Sequence, residues 1–273
     1  MEKNNFKIEP FLKWAGGKRW LVNQYLHLFP KEFNRYIEPF FGSGAVFFAL
    51  KPKRPYLSDI NFELIETYKA LKTDWKKVKS LLMIHHRKHT NDYYYQVRSS
   101  KPRNQFSRAA KFIYLNRTCW NGLYRVNLKG EFNVPIGTKE KAILDTDNFE
   151  YTSEVLKNAQ LKSVDFEKMV NTAKEGDFLF VDPPYTVKHN DNNFIKYNEK
   201  LFSWDDQTRL SKTLLRAKER GALILVTNAH HPLLVDLYKD HFNLIGITRH
   251  SVIAANSINR GKVEELLIRN YKS

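Results

Sequence analysis

Cysteine is nearly absent: the 273-residue chain carries one, Cys119. A single thiol closes no intrachain disulfide, and no C-x-x-C pair exists to hold zinc. That argues against the zinc deaminases, which need a histidine with two cysteines, or three cysteines, beside a catalytic glutamate. His85 and His89 in HHRKH have the i, i+4 spacing of a helical metal pair, but no third ligand lies nearby. A solvated basic helix face, and no metal, is expected there. Long apolar runs are also missing. No stretch of about 18 apolar residues appears, nor a signal-peptide core, so a soluble cytoplasmic protein is expected. Acidic residues are scarce, 29 against 45 Lys and Arg, for a formal charge of +16. Such an excess suits a polyanionic partner. The basic residues are spread along the chain with no single tail, which favours a folded nucleic-acid-binding face. A membrane surface and a plain solubility device stay open as alternatives.

What is present is a rhythm. The chain is 42% hydrophobic, enough for a real core. RYIEPF reads as a strand, FGSG as a turn and AVFFAL as a helix start. PYLSDI is a second strand ending at Asp59, and NFELIETYKALK has helical periodicity. This opening belongs to a doubly wound, Rossmann-like α/β sheet. From about Asp74 to Asn158 the chain turns rich in Lys, Arg, Tyr and Asn. It reads as helices plus a hairpin, GLYRVNLKGEFNVP, turning near Lys129-Gly130. Strand-helix alternation resumes at QLKSVDFEKMV and continues through FLFV, an amphipathic helix over Trp204–Arg220, GALILVTN and the helix HPLLVDLYKDHF. A strand pair, FNLIGITRHSV and VEELLIRNY, closes the chain. The expected organisation is a catalytic α/β domain of residues 1–73 and 159–273, interrupted by a basic insert of residues 74–158.

Three motifs carry chemistry. FLFV stops at Asp182-Pro183-Pro184-Tyr185. Prolines give the ladder no N–H and hold the preceding residues extended. The result is a rigid lip carrying a carboxylate and an aromatic ring, at the strand end where open α/β sheets bind ligands. A Pro-rich turn without function is the alternative. Next, Glu38-Pro39-Phe40-Phe41-Gly42-Ser43-Gly44 ends one strand and opens a helix. The glycines let a ligand reach the backbone. The spacing is not G-x-G-x-x-G, which disfavours a dinucleotide, and no Walker loop fits. Asp59, at the next strand tip, suits ribose hydroxyls. A ribose without a pyrophosphate points to S-adenosylmethionine; a tight turn followed by an N-cap aspartate is the alternative. Third, FLKWAGGK places Trp14 to lie beside a flat or cationic ligand and Lys18 to pair with a carboxylate, or forms a simple Gly-Gly turn.

In this order, FLKWAGGK, EPFFGSG with SDIN, and DPPY strongly resemble the Dam family of DNA adenine methyltransferases. The likeness spans nearly the whole chain. It includes NRTCWNGLYRVNLKGEFNVPIG, similar to the family's target-recognition hairpin, the NFIKYN segment and GKVEELLIRNY. The resemblance implies methyl transfer from S-adenosylmethionine to N6 of an adenine swung out of double-stranded DNA, with GATC as the associated target. Extrusion costs a few kcal/mol of unstacking; stacking on an aromatic ring returns roughly 1–3 kcal/mol. Asp182 and the Pro183 carbonyl, held rigid by Pro184, would accept the two amino hydrogens, and Tyr185 would stack on the ring. Transfer from a sulfonium is direct, so Cys119 is not needed as a nucleophile.

By the same likeness the cofactor contacts are Trp14, Lys18, Phe40, Gly42, Ser43, Gly44, Asp59 and Asp182, with Asp165 and Phe166 flanking its adenine. Phe194, Tyr197 and Asn198 would close over the base. For DNA, Arg125 is the expected base reader, since Arg is the usual bidentate partner of guanine. Trp120 or Leu123 would wedge into the stack, with Asn121 and Pro135 beside them. Lys13 matches a DNA-contacting lysine of the family. Arg117, Arg108 and Lys111 are expected on phosphates. Trp120 departs from the Tyr or Phe common at its position. The expected partners are DNA and, where one exists, a separately acting restriction endonuclease, for a monomeric, nucleoid-associated bacterial or phage protein. Three readings remain beside this one: an RNA or protein-glutamine methyltransferase, a catalytically inactive DNA-binding regulator, and a nicotinamide dehydrogenase.

Overall fold

Residues 9–127, 129–186, 202–250 and 262–272 are described by the computed structural model of the chain. The strands are β1 (Tyr36–Glu38), β2 (Pro55–Ser58), β3 (Gln160–Lys162), β4 (Phe178–Val181), β5 (Leu223–Ala229), β6 (Asn243–His250) and β7 (Lys262–Arg269). Their order across one seven-stranded sheet is β3-β2-β1-β4-β5-β7-β6. β1 runs parallel to β2 and β4, and β4 parallel to β5. β7 is antiparallel to both β5 and β6. All four residues of β4 are buried. A strand covered on both faces carries an unbroken apolar run, with no alternation.

Two compact units divide the chain: Met1–Arg19, Gly42–Lys51 and Asp59–Ser163 form one, and Trp20–Phe41, Pro52–Ser58 and Val164–Ser273 the other. The chain passes between them just beyond the ends of β1, β2 and β3.

The first unit is mostly helical. α2 (Ala45–Leu50) follows Gly44. α3 (Phe62–Arg87) starts at Asn61, whose side chain accepts from Leu64 N–H, an N-cap that satisfies one of the orphan donors. The helix is interrupted at Asp74, whose carboxylate accepts from Lys77 N–H and caps a fresh start. The compositional change seen in the sequence falls at this break. α4 (Asn91–Ser99) and α5 (Gln105–Thr118) follow, capped by Thr90 and Asn104. α6 (Phe149–Leu156) completes the set. Between α5 and α6 the backbone doubles back through isolated antiparallel bridges, Cys119 with Ile136 and Val126 with Phe132. No longer ladder forms there among the described residues. The histidines differ from the solvated face expected. His85 lies parallel to the Tyr114 ring at 5.1 Å and shares a hydrogen bond with Tyr93 Oη; His89 does the same with Tyr114 Oη. The aromatic pocket at the end of α3 leaves both histidines half-buried. No cluster of three metal-ligating side chains exists among the described residues.

The second unit, entered through α1 (Arg19–Tyr25), holds six strands with α7 (Phe166–Val170), α8 (Trp204–Glu219) and α9 (Pro232–Tyr238). Leu210 and Leu214 of α8 share one buried core with Leu179, Val181, Ile224, Val226, Leu266 and Ile268. Each such side chain contributes about 1.5–3 kcal/mol by leaving water. A capping box, Ser203 with Asp206, starts α8. No helix among the described residues is long and apolar enough to cross a membrane.

Candidate active site

In the second unit, strand order reverses between β1 and β4, whose neighbours run outward in opposite directions. Ligands of open α/β sheets sit beyond the carboxyl ends of strands at such a point. Two segments leave those ends: Pro39-Phe40-Phe41 after β1 and Asp182-Pro183-Pro184-Tyr185 after β4. Asp182 is half-buried, and its Oδ1 accepts a 2.6 Å hydrogen bond from the Thr227 hydroxyl on β5. Pro183 is buried, and Tyr185 is half-buried with its hydroxyl donating to Glu265 Oε2 at 2.7 Å. Glu265 lies on β7 and is 1% exposed.

Beside this lip is an aromatic trio. Phe40 stacks on Phe166 with centroids 5.4 Å apart, and Phe202 meets both. Arg209 of α8 lies over the Phe166 ring at 4.1 Å and grips Asp165 with two nitrogens, at 2.8 and 3.0 Å. That grip, joined by Glu167 N–H, holds the Asp165 carboxyl below its usual range despite some burial. Asp165 is thus ion-paired and caps α7, and Phe166 is part of the core.

The first unit holds the glycine turn. Gly42 has φ 48°, and a Cβ there would lie 2.7 Å from Trp14 Cδ1. Only glycine allows the indole this close. Tyr124 and Phe112 lie in near-parallel contact with Trp14. Gly42 N–H donates to Asp59 Oδ2 at 3.0 Å, and Asn61 N–H to Oδ1 at 2.9 Å. Burial pushes the Asp59 carboxyl up, and these two donors pull it back. The Tyr68 hydroxyl fixes the Gly42 carbonyl at 3.1 Å. Lys18, 4% exposed, donates to Gly16 O at 2.8 Å. Gly44 starts α2 in the left-handed region, φ 67°, and Ser43 is buried between the glycines. Trp14, Lys18, Gly42, Ser43, Gly44 and Asp59 are therefore neighbours, though 45 positions separate the first from the last.

The same unit presents an exposed turn. Asn121, φ 54°, and Gly122, φ 65°, are both left-handed, a conformation asparagine and glycine tolerate. A Cβ on Gly122 would strike the Lys13 side chain. Lys13 is tied to Asn116, backbone to amide, in both directions. The turn thus leaves Trp120 52% exposed and Asn121 exposed, with Leu123 half-buried. Arg125 and Pro135 are exposed, and Arg125 Nε donates to Asn133 Oδ1 at 2.9 Å. Arg108 and Lys111 are half-buried, each donating to a backbone carbonyl. Arg117 corrects the expectation. It is 2% exposed, paired through two nitrogens with buried Asp147, and donates to the carbonyls of Phe11 and Ala142. A guanidinium with all its donors turned inward meets no phosphate. Cys119 is also buried; its thiol faces the Leu123 carbonyl, and burial pushes its pKa up to about 11.

Thr227, Glu265, Arg209, Asn116 and Tyr68 escape sequence reading. Asn116 and Glu265 lie in segments that carry the family likeness and the others in apolar or unremarkable runs, but only partner geometry marks any of the five. Phe194, Tyr197 and Asn198 lie outside the described residues.

The family model described as D12 class N6 adenine-specific DNA methyltransferase matches residues 14–253. The Type II methyltransferase M1.LlaDCHI of Lactococcus lactis subsp. cremoris is 39% identical over 280 residues, covering 99% of this chain and 98% of its own. The Type II methyltransferase M.MjaIII of Methanocaldococcus jannaschii is 36% identical, with 97% and 100% covered. The DNA adenine methylase of Escherichia coli K12 is 32% identical, with 96% and 95% covered.

Proposed function

From the premise that this chain belongs to the D12 class of N6 adenine-specific DNA methyltransferases, we propose that it uses S-adenosylmethionine to methylate an adenine swung out of duplex DNA, within GATC. The residues present suit that cofactor. Asp59 is a carboxylate with two oxygens already oriented by backbone N–H groups, a match for a ribose diol. Trp14 offers an indole face to a cation, and Lys18 an ammonium to a carboxylate. Gly42 and Gly44 keep side chains away from the backbone on either side of Ser43, and Phe40, backed by Phe166 and the Asp165–Arg209 pair, would face the adenine of the cofactor. When bound, S-adenosylmethionine supplies a sulfonium methyl for direct in-line transfer, which asks mainly for positioning.

The amino nitrogen of adenine is a poor nucleophile because its lone pair is delocalised into the ring. Asp182 and the Pro183 carbonyl would accept its two hydrogens, drawing the nitrogen toward tetrahedral geometry. Pro184 would stiffen that carbonyl and Tyr185 would stack on the base. Residues 74–158 would serve as the target-recognition region. Within it Arg125 would read a base, and Trp120, Asn121, Leu123 and Pro135 would meet the opened stack, with Lys13 alongside. The observation that carries this reading is the DPPY lip at the switch point, with Asp182 held by Thr227.

The test is sequencing of plasmid DNA from cells expressing the chain, with modified adenines mapped. N6-methylated adenines should appear at GATC, and should vanish in Asp182→Ala at equal thermal stability. Methylation that survives Asp182→Ala, or none with the intact chain, defeats the reading. Methylation confined to another site removes GATC alone.

A further inference from the structure

The Tyr185 hydroxyl has no part in stacking, since a phenylalanine ring would stack as well. Its partner is unusual. Glu265 comes from β7, 80 positions downstream, and its side chain is 1% exposed. A carboxylate so placed is costly unless it is hydrogen-bonded, and a phenol donating at 2.7 Å makes a strong, charge-assisted bond. The register explains the placement. β7 is antiparallel to β5, with Ala229 opposite Glu265 and Thr227 opposite Leu267. Opposed residues and residues two apart share a face of a sheet. Glu265 therefore projects on the same face as Thr227, which holds Asp182. The β5–β7 pair grips the DPPY lip twice, at its carboxylate and at its ring.

We propose that Glu265 is a positioning residue for methyl transfer: by holding the Tyr185 hydroxyl it sets the plane of the ring against which the target adenine rests. This rests on the reading of Tyr185 given above, and the experiment separates the two. Full-length variants are assayed on a duplex carrying the site mapped in cells. Single-turnover transfer is measured with adenine at the target, and fluorescence with 2-aminopurine in its place. Loss of a hydrogen bond to a charged group predicts that Tyr185→Phe and Glu265→Leu each slow transfer about tenfold or more. The double variant should fall no more than about twofold further, because both changes remove one interaction. Glu265→Gln, whose amide oxygen still accepts, should stay within about threefold of the parent protein. KM for S-adenosylmethionine should not move, and 2-aminopurine fluorescence should change in the same order as the rates.

Glu265→Leu or Tyr185→Phe at the parent rate, or losses that multiply in the double variant, would overturn the proposal. Should Glu265→Leu not fold, Tyr185→Phe and Glu265→Gln decide it by the same criteria. Tyr185→Ala distinguishes the premise. If it transfers methyl at the parent rate, the stacking role itself fails. If it is inactive while Tyr185→Phe and Glu265→Leu are not, only the role of Glu265 fails.

Discussion

The hydroxyl of Thr227 donates to Oδ1 of Asp182 across 2.6 Å, joining the fully buried middle of β5 to the first residue beyond β4. Valine has nearly the shape of threonine without the donor. Thr227→Val should therefore slow single-turnover transfer about tenfold, the effect of losing a hydrogen bond to a charged group. Its melting temperature should change little. Turnover equal to that of the parent would show that Asp182 is held by other means.

Arg125 is exposed, and its Nε rests on Asn133. A base reader loses discrimination when truncated. Arg125→Ala should narrow the preference for the cognate duplex by about 1–3 kcal/mol, while the salt dependence of binding keeps nearly its slope. Competition titrations on cognate and random duplexes check this. Equal losses on both would make Arg125 a phosphate contact instead.

Arg117 and Asp147 form a pair with side chains 2% and 4% exposed. Removing one member strands the other, so Arg117→Leu should cost about 3–5 kcal/mol of stability, measured by denaturant unfolding. Replacing both with leucine should recover part of that loss. A mild effect on stability with a weakened salt dependence of DNA binding would return Arg117 to the DNA surface.

His85 is neutral in the folded chain, since burial, helped by Lys88, lowers its pKa to about 4. Unfolded, it titrates near 6.5. As pH falls below about 6.5, the unfolded chain takes up a proton that the folded one refuses, and stability declines until the folded pKa is passed. The ring keeps some exposure, so the loss by pH 5 should be on the order of 1 kcal/mol after screening. Melting curves from pH 7.5 to 5 should drop less steeply for His85→Gln. Parallel curves would exclude His85 as the source.

Local pattern announced much of this molecule. FLFV is a buried strand because four bulky residues stand between Gly-Asp and Pro-Pro, and Pro183 and Pro184 end any ladder by lacking N–H groups. The glycine turn was legible because Gly42 and Gly44 take conformations that other residues resist. The change of composition near Asp74 falls at a kink, where its carboxylate caps a new helical stretch. Arg117 misled because an arginine on a basic stretch looks the same whether it faces solvent or Asp147; 30 positions of intervening chain hide the partner.

Sequence alone determined the strand ends, the motif order and the class of chemistry, since these depend on φ preferences, missing donors and the identity of a few side chains. Tertiary structure decided which groups hold those motifs in place. Thr227 reaches Asp182 because β5 lies parallel beside β4, and Glu265 reaches Tyr185 because β7 lies antiparallel beside β5. Those two pairings bring together residues 45 and 80 positions apart, separations at which no local preference acts and only the shared burial of the sheet selects the partner.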